Sequence, residues 1–482
     1  MKHTLMMHLL GRTSIMMAAA LLPDVILCLY WGNLKEGRTF LLEFLVVVAA
    51  AIGFLMEGRG HKKQLSVKEG AQFVSLFWLW LSFLGMFPFW ISGHMGFLPA
   101  FFESVSALTT TGMSFLSEDA PYVMWFWRSS LGWIGGAGFL IMLVTVLPQV
   151  SGCFGLTLSF RRSMFFSSVM RPMEHLALQV LGVYVGITLL SWMLYALSGL
   201  SVIDALMASM LTVSTTGRMD VFHWFESDGN PWPECTAVLT MFLVCGNLLR
   251  YWRTFQRKDY KDYYGNPEMR FLLSIVVVFA CLMALHLWYN DIYPLGMSLV
   301  HSFFHVMSFI STTGLATEEL IYWPDLELYF LFLLAFVGGC MGSPTGGLKV
   351  MRLIVLFKLL GIEVRRTLHP HMVSNVVVGN VSVSSKIMGR IMIFFFLYIA
   401  VFFAFVLLFS LSGISMSEAV GIAVGGFTSL GTSLGLVSNA SLAKIPDSIK
   451  FIGCFFMLLA RMEIFAFLLL VQIFSVEIRK KW

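Results

Sequence analysis

Long apolar stretches alternate with short polar ones along nearly the whole chain of 482 residues. Runs of about 20 apolar residues can cross a hydrocarbon core. They fall near 13–32, 39–57, 70–92, 125–148, 175–198, 234–252, 271–291, 326–348 (with room to continue to 360), 388–411 and 448–475. This pattern predicts ten transmembrane helices. The last run is too long for a simple span and is expected to tilt or to extend into solvent.

Between these spans lie shorter apolar stretches, each ending in hydroxyl residues and a glycine. "PAFFESVSALTTTG" ends at Gly112, "DALMASMLTVSTTG" at Gly217, "HSFFHVMSFISTTG" at Gly314 and "EAVGIAVGGFTSLG" at Gly431. The four glycines recur about every 100 residues, a period that marks a repeat architecture. A ten-residue helix is about 15 Å long, half a bilayer, so the chain must turn back. Non-helical backbone survives at membrane depth only where protein or water covers its polar groups. Four re-entrant loops therefore imply one shared wet axis. Each repeat reads as helix, short pore helix with loop, helix.

Composition removes the competing classes. Hydrophobic residues make up 58% of the chain and charged residues 12%, against about 25% charged in an average soluble protein. Several soluble domains are excluded in favour of a polytopic membrane protein. Residues 13–32 are long enough to span, so they are read as a first helix rather than a cleaved signal. The seven cysteines (28, 153, 235, 245, 281, 340 and 454) form no CxxC pair and no Cys/His cluster, so neither a zinc site nor a disulfide framework is indicated.

Charge placement orients the chain. Basic residues follow the even-numbered spans: Arg59, Lys62, Lys63 and Lys68; Arg161, Arg162 and Arg171; six between 249 and 270; seven between 349 and 390; and Arg479 to Lys481. By the positive-inside rule these ends, and both termini, are cytoplasmic. The opposite segments, 93–124, 200–235, 291–327 and 412–448, hold 15 of the 27 acidic residues but only Arg218 and Lys444 as bases. An acidic outer face concentrates cations at a pore.

The repeated triplets suit an alkali cation. Glycine lets the backbone turn its carbonyls toward the axis, and the threonine hydroxyls add further oxygens. Rings of neutral oxygen can replace an ion's hydration shell. No carboxylate lies within the T-T-G triplets, which argues against a divalent-selective ring. The candidate ion ligands are Thr110, Thr111 and Gly112; Thr215, Thr216 and Gly217; Thr312, Thr313 and Gly314; and Leu430 with Gly431. In the fourth copy, "GFTSLGTSLG", Gly435 competes with Gly431, and alignment on the other three favours Gly431.

Two further features sit among apolar residues. The stretch "GGCMGSPTGG" (338–347) would break a helix midway through a segment otherwise long enough to span. Such backbone must face a cavity, and a flexible plug below the loops is expected. A phosphate-binding loop would need lysine at 348, where Leu348 stands. Arg461 lies inside the final apolar run, and a charge there is a functional residue by default. Its offset from Glu463 is about 200° around a helix, so those two do not pair.

Together these residues resemble the Trk/Ktr/HKT superfamily of potassium transporters, closest to its TrkH/TrkG branch. The resemblance covers nearly the whole chain. It includes "GWIGGAGFLIM" (132–142), "FVGGCMGSPTGGLKVMR" (336–352), "RTLHPHMV" (366–373) and "MLLARMEIFAFLLLV" (457–471). It implies an all-α polytopic membrane protein: two extra N-terminal helices (1–69), then four pore repeats at 70–150, 151–262, 263–378 and 379–482 in pseudo-fourfold arrangement. It implies K⁺ as the transported ion, with no organic cofactor. The implied partners are a second copy of the chain, membrane lipid and a cytoplasmic nucleotide-binding regulatory ring, and no nucleic acid; the implied location is the bacterial inner membrane. A gating loop is carried onto Gly338, Gly339, Gly342, Ser343, Gly346, Gly347 and Lys349, and a pore-facing arginine onto Arg461.

Some positions depart from the family pattern. Arg218 follows the second filter glycine, with Asp220 two residues on to offset it, and Ala460 stands where a glycine is usual. The nearest rival is a Na⁺-permeable relative. A polytopic enzyme such as a lipid-modifying transferase would need clustered acid, base or nucleophile. His301 and His305 share a helix face but have no third partner, and are read as pore-helix packing.

Overall fold

The computed structural model describes residues 4–59, 67–117, 119–145, 173–217, 230–258, 265–317, 320–369, 371–372, 375–379, 381–411, 413–431 and 445–462. The apolar runs form helices. A hairpin of α1 (Thr4–Tyr30) and α2 (Leu34–Glu57) precedes α3 (Val67–Gly85), α4 (Phe87–Ile91), α5 (Phe97–Leu108) and α6 (Tyr122–Thr145). Next come α7 (Met173–Leu197), α8 (Val202–Ser214), α9 (Trp232–Cys245) and α10 (Leu248–Arg257), then α11 (Pro267–Tyr289), α12 (Leu295–Ile310), α13 (Asp325–Ala335) and α14 (Val350–Leu368). The last are α15 (Ser385–Ser410), α16 (Met416–Thr428) and α17 (Asp447–Arg461). The only strands among the described residues form a two-stranded ladder, β1 (Val377–Val378) against β2 (Val381–Ser382).

Among the described residues, seven helices are long and apolar enough to cross a membrane, or eight if one bent pair counts as a single span. Ten were expected from the sequence, and the difference has local causes. The expected span 234–252 bends by 88° between α9 and α10. Gly246 there is extended, and the Asn247 side chain accepts from the Arg250 amide to start a new helix. The expected span 326–348 stops at Ala335, where the glycine-rich stretch begins. The last expected span is described only as far as Met462.

Four short helices, α5, α8, α12 and α16, are the expected pore helices. Each packs on the last helix of the preceding repeat: α8 on α6, α12 on α9, α16 on α13. α17 returns to pack on α5, which closes the four repeats into a ring. Close approach is made possible by the glycines of "GWIGGAGF". A methyl at Gly135 would collide with the Leu108 carbonyl, and one at Gly132 would lie 2.5 Å from Thr216 Oγ1. Small residues let helix backbones meet where lipid offers no hydrophobic drive between them.

The pore helices expose their first turns, at Phe97, Val202, Leu295 and Met416, and bury their C-terminal halves, where Val105, Leu211, Val306 and Val424 have no exposure. The peripheral helices bury one stripe and leave the rest apolar and exposed, as with Leu41, Leu45 and Ile52 of α2. That is the pattern of helices facing lipid on one side. Within the N-terminal hairpin, Asp24 and Glu43 are buried with carboxylate oxygens that meet no hydrogen-bond partner among the described residues.

Candidate functional site

At the end of every pore helix the backbone makes the same turn. Thr110, Thr215, Thr312 and Ser429 take left-handed dihedrals, with φ of 55°, 59°, 55° and 61°. Two residues on, Gly112, Gly217, Gly314 and Gly431 again have positive φ, at 83°, 60°, 73° and 75°. A non-glycine residue in this region costs free energy and is held there only by its surroundings. The shared register aligns Gly431 with the other three glycines; Gly435 lies outside the described residues.

Local hydrogen bonds impose the turn. The amides of Thr111 and Gly112 both donate to the Ser106 carbonyl, those of Thr313 and Gly314 to Ser308, and those of Leu430 and Gly431 to Gly425. In the second loop Thr216 donates to Leu211, the equivalent position. Three loops add a hydroxyl pair: Thr109 with Thr111 at 2.8 Å, Ser214 with Thr216 at 2.7 Å and Ser311 with Thr313 at 2.6 Å. Leu430 leaves the fourth loop without that pair. Loops 1 and 3 carry an additional brace, in which Ser106 Oγ donates to Met113 O and Ser308 Oγ to Leu315 O, each at 2.6 Å.

The loops meet around one axis. A Cβ on Gly112 would collide with the Thr216 carbonyl oxygen, and one on Gly217 with that of Thr313. A Cβ on Gly431 would lie 3.1 Å from the Thr111 carbonyl oxygen. Loop 1 therefore touches loop 2, loop 2 touches loop 3, and loop 4 touches loop 1. All these threonines are buried, and the hydroxyls of Thr110 and Thr215 have no hydrogen-bond partner among the described residues.

The first loop is held by an ion pair that the sequence reading did not single out. Glu103 of α5 and Arg128 of α6 are both fully buried, with Nε to Oε1 at 2.6 Å. Glu103 also accepts from Ser114 Oγ and the Phe115 amide, each at 2.8 Å. Arg128 Nη2 donates to the Gly112 carbonyl at 2.8 Å. The available signal was one acid in a short apolar helix and one base in an apolar span. Nine residues before the loop glycine, Glu103 has its counterpart in His305 of the third repeat. His305 Nδ1 lies 2.8 Å from the His301 carbonyl, and its ring packs 4.6 Å from that of Trp323. That fits the packing expected of His305, whereas His301 meets a partner the sequence did not indicate: its Nδ1 lies 3.5 Å from Glu234 Oε2.

The glycine-rich segment between α13 and α14 sits against the pore-helix end of the loops. The Gly346 amide donates to Thr312 Oγ1 at 2.7 Å, and a Cβ on Gly346 would strike the Thr428 carbonyl. Gly346 thus lies between loops 3 and 4. Gly338, Gly342, Gly347 and Lys349 all have positive φ. Gly339 donates to Thr345 Oγ1 at 2.9 Å, and Ser343 Oγ lies 2.8 Å from Thr345 Oγ1. The buried Lys349 closes the segment on itself: its Nζ donates to Ser343 O at 3.2 Å, to Thr345 Oγ1 at 2.9 Å and to Thr345 O. Elsewhere the segment is tied down by Cys340 N to Cys245 O and Met341 N to Glu268 Oε1.

Arg461 also reaches this segment. Its Nη1 donates to Pro344 O at 2.9 Å, and its guanidinium lies 4.0 Å from the Phe139 ring centroid. The sequence placed Arg461 at the pore; the structure adds that its hydrogen bond is to the glycine-rich loop. Arg218, Asp220 and Glu463 lie outside the described residues.

A closed ring of four helix–loop–helix repeats, with broken helices meeting at the centre of an apolar bundle, defines a multi-pass membrane transport protein rather than an enzyme. Comparison with known proteins gives the family. Residues 36–478 match the family model TrkH, described as a cation transport protein. The chain belongs to that family. It is 30% identical over 464 residues to the Trk system potassium uptake protein TrkH of Salmonella typhimurium, covering 93% of this chain and 94% of that protein. It is 28% identical to TrkG of Escherichia coli K12, over 96% of each. The crystal structure of the potassium transporter TrkH from Vibrio parahaemolyticus superposes with a TM-score of 0.88, at 25% identity and over 98% of both chains.

Proposed function

We propose that the chain takes up K⁺ through the axis enclosed by its four loops. The carrying observation is the shared dihedral register at 110/112, 215/217, 312/314 and 429/431 in loops that touch one another. The ligands are oxygens of Thr110 and Thr111, of Thr215, Thr216 and Gly217, of Thr312, Thr313 and Gly314, and of Leu430 and Gly431. Partner-free buried hydroxyls at Thr110 and Thr215 suit that role, because a neutral oxygen cage replaces the hydration of a monovalent ion. The Gly112 carbonyl, already accepting from Arg128, is polarised away from a cation and serves the loop's shape.

The segment 338–347 with Lys349 is the gate, and Arg461 holds it against the loops. The protein works as a homodimer in the bacterial inner membrane, with repeats at 70–150, 151–262, 263–378 and 379–482 after the 1–69 hairpin. Lipid surrounds it and a cytoplasmic nucleotide-binding ring opens it. Both termini are cytoplasmic, which the basic residues at the ends of the even-numbered spans support. The relatives named for potassium uptake support the choice of ion.

The test is growth of a bacterium lacking potassium uptake on low K⁺, with Rb⁺ and Na⁺ flux into vesicles holding the purified chain. Growth rescue with Rb⁺ flux above Na⁺ flux is expected. Equal Na⁺ and Rb⁺ flux would make it a non-selective cation pathway, and no flux with any regulatory partner or nucleotide would end the reading.

A further inference from the structure

Beside the glycine-rich segment lies a small cavity of about 40 Å³, and its walls carry an unusual charge. Lys349, Arg352 and Arg461 all line it, and no carboxylate does among the described residues. Each of the three is at least nine-tenths buried. Lys349 Nζ lies 5.9 Å and the Arg461 guanidinium 4.0 Å from the centroid of the same Phe139 ring, so the two charges are no more than about 10 Å apart. The Arg352 guanidinium is also stacked on a ring, 4.1 Å from the centroid of Phe394. Like charges this close, away from bulk water, repel one another far more than on a surface.

Arg461 shows where the compensation is missing. Its Nη1 is used by Pro344, but Nε and Nη2 are buried with no hydrogen-bond partner among the described residues. An ionised guanidinium with two idle donors is expensive to bury unless something accepts from them. The remaining polar walls, Thr345, Gly346, Tyr398 and Ser429, are neutral.

We propose that this cavity binds a small monovalent inorganic anion of chloride's class, taken by Arg461 Nε and Nη2 and shared electrostatically with Lys349 and Arg352. The inference deepens the gating role proposed above and rests on it. The anion neutralises the mutual repulsion of the cations that clamp residues 343–346, so it stabilises the segment in its place between loops 3 and 4. A ligand that binds one state better shifts the population toward that state. Anion binding therefore lowers K⁺ flux in the absence of the regulatory partner.

The test uses the full-length protein and bromide as the probe. Crystals grown in bromide in place of chloride are expected to show an anomalous difference peak within hydrogen-bond reach of Arg461 Nε or Nη2. The peak should disappear in Arg461→Gln. In vesicles holding the purified chain alone, replacing internal chloride by gluconate, too bulky for the cavity, should raise Rb⁺ uptake roughly threefold, equivalent to a shift of under 1 kcal/mol. In Arg461→Gln, flux should be indifferent to the anion. Absence of a peak near Arg461 overturns the site. A peak that survives Arg461→Gln overturns the ligand assignment, and anion-independent flux in the unmodified chain overturns the gating effect. A peak without any Rb⁺ uptake would leave the anion site standing and remove the transport reading on which its role rests.

Discussion

Arg128 donates to the carbonyl oxygen of Gly112 at 2.8 Å while its Nε, 2.6 Å from Glu103, neutralises the one acid inside the first pore helix. One fully buried guanidinium thus joins pore helix, following helix and loop. Removing one member of a buried pair leaves an uncompensated charge and costs about 3–5 kcal/mol. Glu103→Gln and Arg128→Leu are expected to lower the melting temperature of the purified protein and to reduce the Rb⁺/Na⁺ flux ratio. Arg128→Lys, which keeps the charge but cannot span both acceptors, should retain more stability than Arg128→Leu and still lose selectivity. An unchanged flux ratio in all three would show that the pair does not shape the loop.

The four loop glycines are not equivalent, and their substitution should rank accordingly. A side chain at Gly217 would run into the Thr313 carbonyl and crowd Gly314, and one at Gly112 would run into Thr216. At Gly431 the nearest atom would stand 3.1 Å away, so strain there comes mainly from φ. Gly112→Ser and Gly217→Ser should abolish discrimination between Rb⁺ and Na⁺ or abolish transport, whereas Gly431→Ser should retain partial selectivity. Vesicle flux with both ions checks the order.

Lys349 is the internal clamp of the glycine-rich segment. Lys349→Met keeps much of the side chain's bulk but removes its donors to Ser343 and Thr345. Partner-independent Rb⁺ uptake is expected to rise severalfold while the Rb⁺/Na⁺ ratio stays that of the unmodified protein. A gain in flux accompanied by lost selectivity would mean that the segment is part of the filter and not a separate gate.

In the N-terminal hairpin, Asp24 and Glu43 bury carboxylates without a hydrogen-bond partner. Charge at such depth is costly unless matched. Asp24→Asn with Glu43→Gln should raise the melting temperature by roughly 2–5 °C at neutral pH. Rb⁺ uptake should be unaffected, since both positions lie outside the four repeats. Thermal unfolding followed by intrinsic fluorescence in lipid discs measures the first, and vesicle flux the second.

Much of this arrangement is legible in the sequence because the bilayer makes length decisive. A stretch such as 295–310 is too short to cross, and its T-T-G ending says where it turns. The repetition of that ending gave the register of Gly112, Gly217 and Gly314, and the dihedrals extend it to Gly431. What hydropathy alone missed are interruptions inside apolar runs. Gly246 and Asn247 do not change the hydropathy of 234–252, yet they turn the chain by 88°. Partners distant in sequence were equally hidden: nothing near Arg461 points to Pro344, 117 residues away. Glu103 and Arg128 are isolated charges in apolar helices that the sequence analysis passed over, and their pairing needs the packing of α5 on α6.

Among the described residues only the third repeat carries the glycine-rich interruption, and its Gly346 sits between loops 3 and 4. A ring assembled from four identical subunits would have to carry such a segment in every quadrant. Fusing the quadrants into one polypeptide removes that constraint, since each can diverge without altering the others. The loss of the hydroxyl pair at Leu430 and the bracing serines confined to Ser106 and Ser308 are products of the same freedom. The four quadrants are therefore chemically unequal: each loop brings a different set of hydroxyls and braces to the shared centre.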